Sequence, residues 1–243
     1  MLHTYRDFVE RVNELGYYPF YGRFLAGVPT VEAETAPEQW HTGDEETDPW
    51  QWKDRAAKER KLAFGCILGG YKGFVSQRMY PLFYAACHPA EAVEERYLNG
   101  EVSQAVYFLY RLFENGAELS TSELRKAAGT SKNNGVSRTD AAMKQLQKEY
   151  LVTVCGNRRR VSADGQEFGW PANAYCLVED WVPEGWMDGA DALTAEEARN
   201  RILKASAVFG KEVDSIALSR LLFGRRKNEP KGRFERPQER KKQ

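Results

Sequence analysis

The chain has little of what metal, disulfide or secretory chemistry requires. Its 243 residues include four cysteines and three histidines. Cys66, Cys87, Cys155 and Cys176 are widely spaced without a CxxC pair, and His3, His41 and His88 stand apart. Neither a zinc site nor a disulfide framework is implied, so the thiols are expected to be reduced and mostly buried. Cys155 and Cys176 are expected to face each other on neighbouring strands. No apolar run approaches the roughly 20 residues of a membrane span. The first residues, MLHTYRDFVERVNELG, carry charges where a signal peptide is apolar, which predicts a cytoplasmic protein. There is no GxSxG, HExxH or P-loop, which removes the ordinary hydrolase and kinase signatures. The glycines of GGYKG, 69–73, lack the preceding strand and the spacing of a dinucleotide loop.

What is present suits a folded core, with 42% hydrophobic and 12% aromatic residues. Net charge is zero, so the whole chain exerts no long-range pull on a polyanion. The halves differ. Residues 1–100 carry 11 Lys/Arg against 15 Asp/Glu, net −4, and residues 101–243 carry 24 against 20, net +4. A polyanion is therefore expected to meet the second half.

Tyr5, Phe8, Val9, Val12 and Leu15 recur at intervals of three and four, predicting an amphipathic helix over 4–15 that Gly16 ends. Residues 17–52, with Pro19, Pro29, Pro37 and Pro49, read as a long loop pinned by buried Phe20, Tyr21, Trp50 and Trp52. A charged helix is expected over 53–64. Another is expected from Phe74 through Ala86 behind Ser76 as N-cap, with Pro81 in its first turns. Together, 1–100 form an N-terminal helical region.

From Val102 the pattern sharpens. Ala105, Val106, Leu109, Leu112 and Phe113 give the core face of one helix. STSELRKAAG gives a second, opened by a Ser120–Glu123 capping box and closed by Gly129. Ser137 and Asp140 match a further capping box, opening a third helix with Val136, Met143, Leu146 and Tyr150 as its buried stripe. LVTVCG and NAYCLVEDWV read as strands flanking the polar loop NRRRVSADGQEFGWPA. Three helices followed by strand, loop and strand predict a winged helix-turn-helix over 101–183. The fold class is therefore mainly α with a small β wing (α+β). Helices are expected over 184–224, with a Thr194–Glu197 capping box opening the first. The tail from Arg225 to Gln243, with nine Lys/Arg against three Asp/Glu, reads as disordered.

In such a unit the third helix enters the major groove and the wing touches the backbone or minor groove. The expected DNA contacts are Arg138, Thr139, Lys144, Gln145 and Lys148 on the helix, with Gln145 suited to adenine. The wing adds Arg158, Arg159 and Arg160. The alternative is a surface used for protein contacts. In the first half, Asp44, Glu45, Glu46 and Asp48 form either a carboxylate site, through repulsion and partial burial, or a solvated loop.

QWHTGDEETDPWQWKDR, 39–55, and GFVSQRMYP, 73–81, together with the winged-helix pattern, resemble the AlkZ-related proteins, relatives of the AlkZ/YcaQ winged-helix DNA glycosylases. The resemblance implies a bacterial DNA-binding protein linked to repair of alkylated or crosslinked DNA, with duplex or damaged DNA as partner and no metal or cofactor. Those glycosylases use a Gln-x-Gln or Gln-x-Asp motif in the first third of the chain. Gln39-Trp40-His41 has the glutamine without its partner. Gln145-Leu146-Gln147 has the spelling, but at roughly 100° per helical residue the two side chains point to opposite faces. If the chain is an enzyme, it is a metal-independent glycosylase with Gln39, Asp44 and Asp48 as candidate catalytic residues. Otherwise it binds DNA without catalysis, or acts as a protein-interaction scaffold.

Overall fold

The computed structural model describes residues 1–22, 24–130, 135–162 and 164–224, without the side chains of Val136 and Arg160. The basic tail expected from Arg225 onward lies outside the described residues.

Thr4 opens helix α1 (Tyr5–Leu15) through a reciprocal capping box with Asp7, and Gly16 at φ 86° closes it. Tyr5, Phe8, Val12 and Leu15 bury the stripe that the spacing predicts. The segment read as loop starts with a short strand, β1 (Tyr17–Pro19), and Tyr21 is exposed rather than buried. Three residues, one of them proline, give no alternation to detect.

Helix α2 (Pro49–Lys58) begins four residues earlier than expected, with Asp48 as N-cap and Pro49 at its first position. It also ends earlier. Leu62–Leu68 is strand β2 and Tyr71–Ser76 is strand β3, where helical residues are expected from both flanking patterns. Both strands are largely buried, so they lack the period-2 alternation that separates strand from helix in short apolar runs. The sheet is antiparallel with order β1-β3-β2, placing Phe64 opposite Phe74 and Tyr17 opposite Val75. GGYKG is therefore a hairpin turn that a strand does precede. A Cβ on Gly69, at φ 61°, would lie 1.9 Å from the carbonyl oxygen of Leu221. The Ser76 hydroxyl caps nothing and donates to the Gly16 carbonyl at 2.9 Å. Helices α3 (Tyr80–Cys87) and α4 (Val93–Leu98) follow.

Residues 101–183 contain α5 (Gln104–Arg111), β4 (Leu119–Ser120), α6 (Thr121–Ala127), α7 (Val136–Lys148), β5 (Val152–Val161), β6 (Glu167–Leu177) and α8 (Val178–Trp181). The Ser120–Glu123 box is reciprocal, as expected. The box at Ser137 and Asp140 does not form, because Gly135 in the left-handed region at φ 78° starts α7 two residues earlier. Asp140 instead accepts from the Arg125 guanidinium at 3.0 Å on both oxygens. The second sheet is antiparallel with order β4-β6-β5. Its long strands absorb most of the run read as loop, so Arg158, Arg159 and Arg160 lie on β5.

Helix α9 (Ala195–Ala205) opens on the Thr194–Glu197 box and continues as a tight turn to Phe209, and Asp214 caps α10 (Ser215–Phe223). The class is α+β, with ten α-helices and two three-stranded sheets among the described residues.

Two cores cross the chain's segments. The first joins Phe8, Trp52, Phe64 and Phe74 to Val106, Leu109, Leu146 and Val154. The second joins Tyr17, Leu68 and Phe83 to Trp181, Ile202, Leu218 and Leu222. The Tyr17 and Ser206 hydroxyls share a hydrogen bond at 2.8 Å.

Candidate nucleic-acid interface

Helix α7 exposes Arg138 and Lys144, while Gln145 and Lys148 are half-buried. Thr139, expected on the solvent face, is 4% exposed, and its hydroxyl donates to the Gly135 carbonyl at 3.4 Å. Thr139 shares the buried face of the helix with Met143 and Leu146, one and two turns further on. The Gln145 amide donates to Glu149 at 3.0 Å, and Arg96 grips the same carboxylate bidentately at 2.9 and 3.1 Å. Gln147, on the opposite face as its spacing predicts, is buried.

On β5, Arg158 is exposed and donates to the Glu118 carboxylate at 2.8 Å and to its carbonyl at 3.1 Å. Arg159 is exposed. The backbone of Arg160 pairs with Phe168, and its side chain is not among those described. Sequence reasoning missed the apolar end of this hairpin, where Val161, Phe168 and Trp170 are exposed. Arg158 pairs with Ala172 and Arg160 with Phe168, so three residues of β6 oppose Arg159 alone. That bulge directs Trp170 outward, leaving it 79% exposed. Glycine and proline beside Trp170 were the available signal, and they read equally well as a loop.

The acidic loop is organised around its own backbone. Asp48 is fully buried, and its carboxylate accepts from the N–H groups of Trp50 at 2.8 Å, His41 at 3.1 Å and Gly43 at 2.9 Å. Asp44 is exposed and accepts from the N–H groups of Glu46 and Thr47. Gln39 accepts from the Ala36 N–H at 3.0 Å and donates to the carbonyls of Thr47 at 3.2 Å and His3 at 3.3 Å. The polar atoms of Gln39 and Asp48 are thus engaged in holding the loop. Trp52 fixes it from below, donating its indole N–H to the Glu46 carbonyl at 2.9 Å.

A buried ion pair stands beside this loop. Lys53 and Asp54 are 5% and 7% exposed, with Nζ 2.5 Å from Oδ1, and Asp54 Oδ2 accepts from the Asn157 amide at 2.7 Å. Burial holds the Lys53 ammonium below its ordinary value, against the pull of Asp54. Lys53 also lies 4.6 Å from the centre of the Trp50 ring. The pair ties α2 to the base of the β5–β6 hairpin. Adjacent opposite charges at a helix start read as a solvated face, which is why sequence reasoning passed over them.

The two sheets meet at α7. Behind Lys144 a cleft of about 350 Å³ is lined by β2, β3, α6, α7 and β6, with Cys66 and Lys72 on one wall and Asn173 and Tyr175 on another. Burial pushes the Cys66 thiol up, so it stays neutral. Among the described residues no His, Cys, Asp or Glu side chains gather as a metal-binding group, and no helix is long and apolar enough to cross a membrane.

Residues 2–223 match the model of a family described as AlkZ related. No curated protein and no solved structure matches the chain.

Proposed function

The chain belongs to the AlkZ-related family, and from that premise we propose that it is a DNA-binding protein in which residues 101–183 act as a winged helix. The order helix, strand, helix, helix, strand, strand, with sheet order β4-β6-β5, is the order such a unit has. In this reading α7 enters the major groove and the β5–β6 hairpin is the wing. The observation that carries it is the set of exposed cations in one unit, Arg138 and Lys144 on α7 with Arg158 and Arg159 on β5. Gln145 and Lys148 flank the first pair. Arg160 completes the arginine run in sequence. Damaged or crosslinked DNA is the partner class this family membership favours.

No catalytic role is assigned to Gln39, Asp44 or Asp48. The Asp48 carboxylate already accepts three backbone N–H groups, and Gln39 holds the loop. Binding is therefore placed ahead of base excision.

The test is fluorescence anisotropy with a labelled duplex across a salt series. Wild type is expected to bind tightly at low salt. Replacing Arg158, Arg159 and Arg160 by alanine is expected to flatten the log–log salt slope by roughly 0.9 for each phosphate that is no longer neutralised. Absence of duplex binding by wild type at low salt overturns the reading. A base-release assay on methylated duplex, run alongside with Asp48→Asn, is expected to give no release.

A further inference from the structure

Charge in the cleft behind α7 does not balance. Arg125 lines it and is answered by Asp140. Lys53, close enough to feel the charge of Lys72, is answered by Asp54. Lys72 on β3 and Lys144 on α7 also line the cleft, and neither has a carboxylate partner among the described residues. Lys72 is half-buried, its ammonium hydrogen-bonded to the Tyr21 side chain, and Lys144 lies 5.9 Å from the Tyr71 ring. Both ammonium groups act on the Cys66 thiol, but burial outweighs them and pushes it up, so it offers them no counter-charge. Two positive charges therefore face one cleft without a counter-charge. Two like charges facing one cleft without a counter-ion repel each other, and an anion supplied from outside relieves that repulsion.

Uncharged donors in the same walls are also under-used. The Asn173 amide reaches the Tyr175 hydroxyl at only 3.5 Å, and the Thr121 hydroxyl reaches the Asn173 carbonyl at 3.4 Å. The volume, about 350 Å³, is on the order of ten waters at ~30 Å³ each, more than a bare phosphate fills.

We propose that this cleft binds a phosphate monoester, with Lys72 and Lys144 neutralising the dianion and the Asn173 amide donating to one of its oxygens. A monoester carries about −1.5 to −2 at neutral pH, which matches two ammonium charges where a carboxylate or a backbone diester supplies one. The same chemistry is offered by a free 5′-mononucleotide and by the 5′-phosphorylated end of a DNA strand. The site is separate from the wing arginines but shares Lys144 with the α7 face of the DNA-binding reading, so Lys72, which that reading does not use, tells the two apart.

Isothermal titration calorimetry with 5′-dAMP, deoxyadenosine and one oligonucleotide with and without a 5′-phosphate tests it. Wild type is expected to bind 5′-dAMP and not deoxyadenosine. Lys72→Gln and Lys144→Gln are each expected to weaken that binding about five- to tenfold, as removal of one charge-assisted hydrogen bond does. Lys72→Arg should retain most of it, and Lys211→Gln, on an exposed turn elsewhere, should match wild type. A preference for the phosphorylated oligonucleotide that the lysine variants abolish identifies the strand end as the source. Binding of the mononucleotide alone identifies the free nucleotide. Lys144 is exposed, so its variant keeps the test informative even if Lys72→Gln melts early. Failure of every phosphomonoester to bind at millimolar concentration overturns the proposal, as does equal binding by wild type and the folded double variant. Duplex affinity that survives either failure leaves the DNA-binding reading intact.

Discussion

The side-chain oxygen of Gln147 accepts the backbone N–H of Cys66 at 3.0 Å, across 81 positions of sequence. Its amide nitrogen donates to the Met143 carbonyl at 3.0 Å, one turn back on α7. This residue thus fastens the helix of one sheet system to a strand of the other. Gln147→Leu leaves the Cys66 N–H without its partner and is expected to cost about 1–3 kcal/mol. Urea unfolding checks it, and a change below about 0.5 kcal/mol, the scatter of ordinary surface substitutions, removes the clasp from the account.

Asp48 combines a helix cap with two loop anchors. Asp48→Ala removes the α2 cap, worth about 1 kcal/mol, and strands two further N–H groups, for about 2–4 kcal/mol in all. Thermal melting measures the loss. A variant as stable as wild type would mean that the carboxylate does not organise this loop.

Acid should weaken the contact between α1 and α2. Burial raises the Glu59 carboxyl, but hydrogen bonds from Lys61, Arg55 and Tyr5 outweigh it and hold the group at about 2, against an ordinary 4.5. A folded value below the unfolded one stabilises the protein above pH 4.5 and loses that contribution as pH falls from 4.5 towards 2. Glu59→Gln is expected to lower stability modestly at pH 7 and to flatten the pH dependence in that window. Urea midpoints at pH 7, 4 and 3 give the comparison. Parallel curves for variant and wild type would contradict it.

Thiol reactivity should separate the cysteines. A hydrogen bond from Cys176 lowers the Cys155 thiol, whereas burial pushes Cys87 up to about 12. Limited iodoacetamide treatment of the folded protein, mapped by mass spectrometry, is expected to modify Cys155 before Cys87, while Cys176, buried and raised by the same hydrogen bond, stays unmodified. Equal labelling of Cys155 and Cys87 counts against this ordering.

Where a side-chain pattern and a cap agree, the fold is legible in the sequence. Thr4 with Asp7, Ser120 with Glu123 and Thr194 with Glu197 each open the expected helix. Where burial is two-sided, pattern misleads. Leu62–Leu68 is apolar on both faces and the stretch 73–76 is buried on both, so helical spacing can be drawn through residues that form strands. The start of α7 turns on glycine geometry rather than on the Ser137–Asp140 pattern, and Thr139 lies inward because it shares the face of Met143 and Leu146. Of the candidate contacts, Arg138, Lys144, Arg158 and Arg159 are exposed as expected. Lys72 carries no such signal. Its significance comes from what faces it across 72 residues of chain, and no local pattern encodes that.

The contact of Gly69 with the Leu221 carbonyl bears on the order in which the protein is made. The second core takes Tyr17, Leu68 and Phe83 from the first part of the chain and Ile202, Leu218 and Leu222 from the last. A ribosome that has delivered only the first hundred residues has therefore released a hairpin whose seat does not yet exist. Domains with their own cores fold behind the ribosome as they emerge. Here the hairpin cannot settle until α10 has left the exit tunnel, so the early strands wait for a much later segment of the chain before they find their final packing.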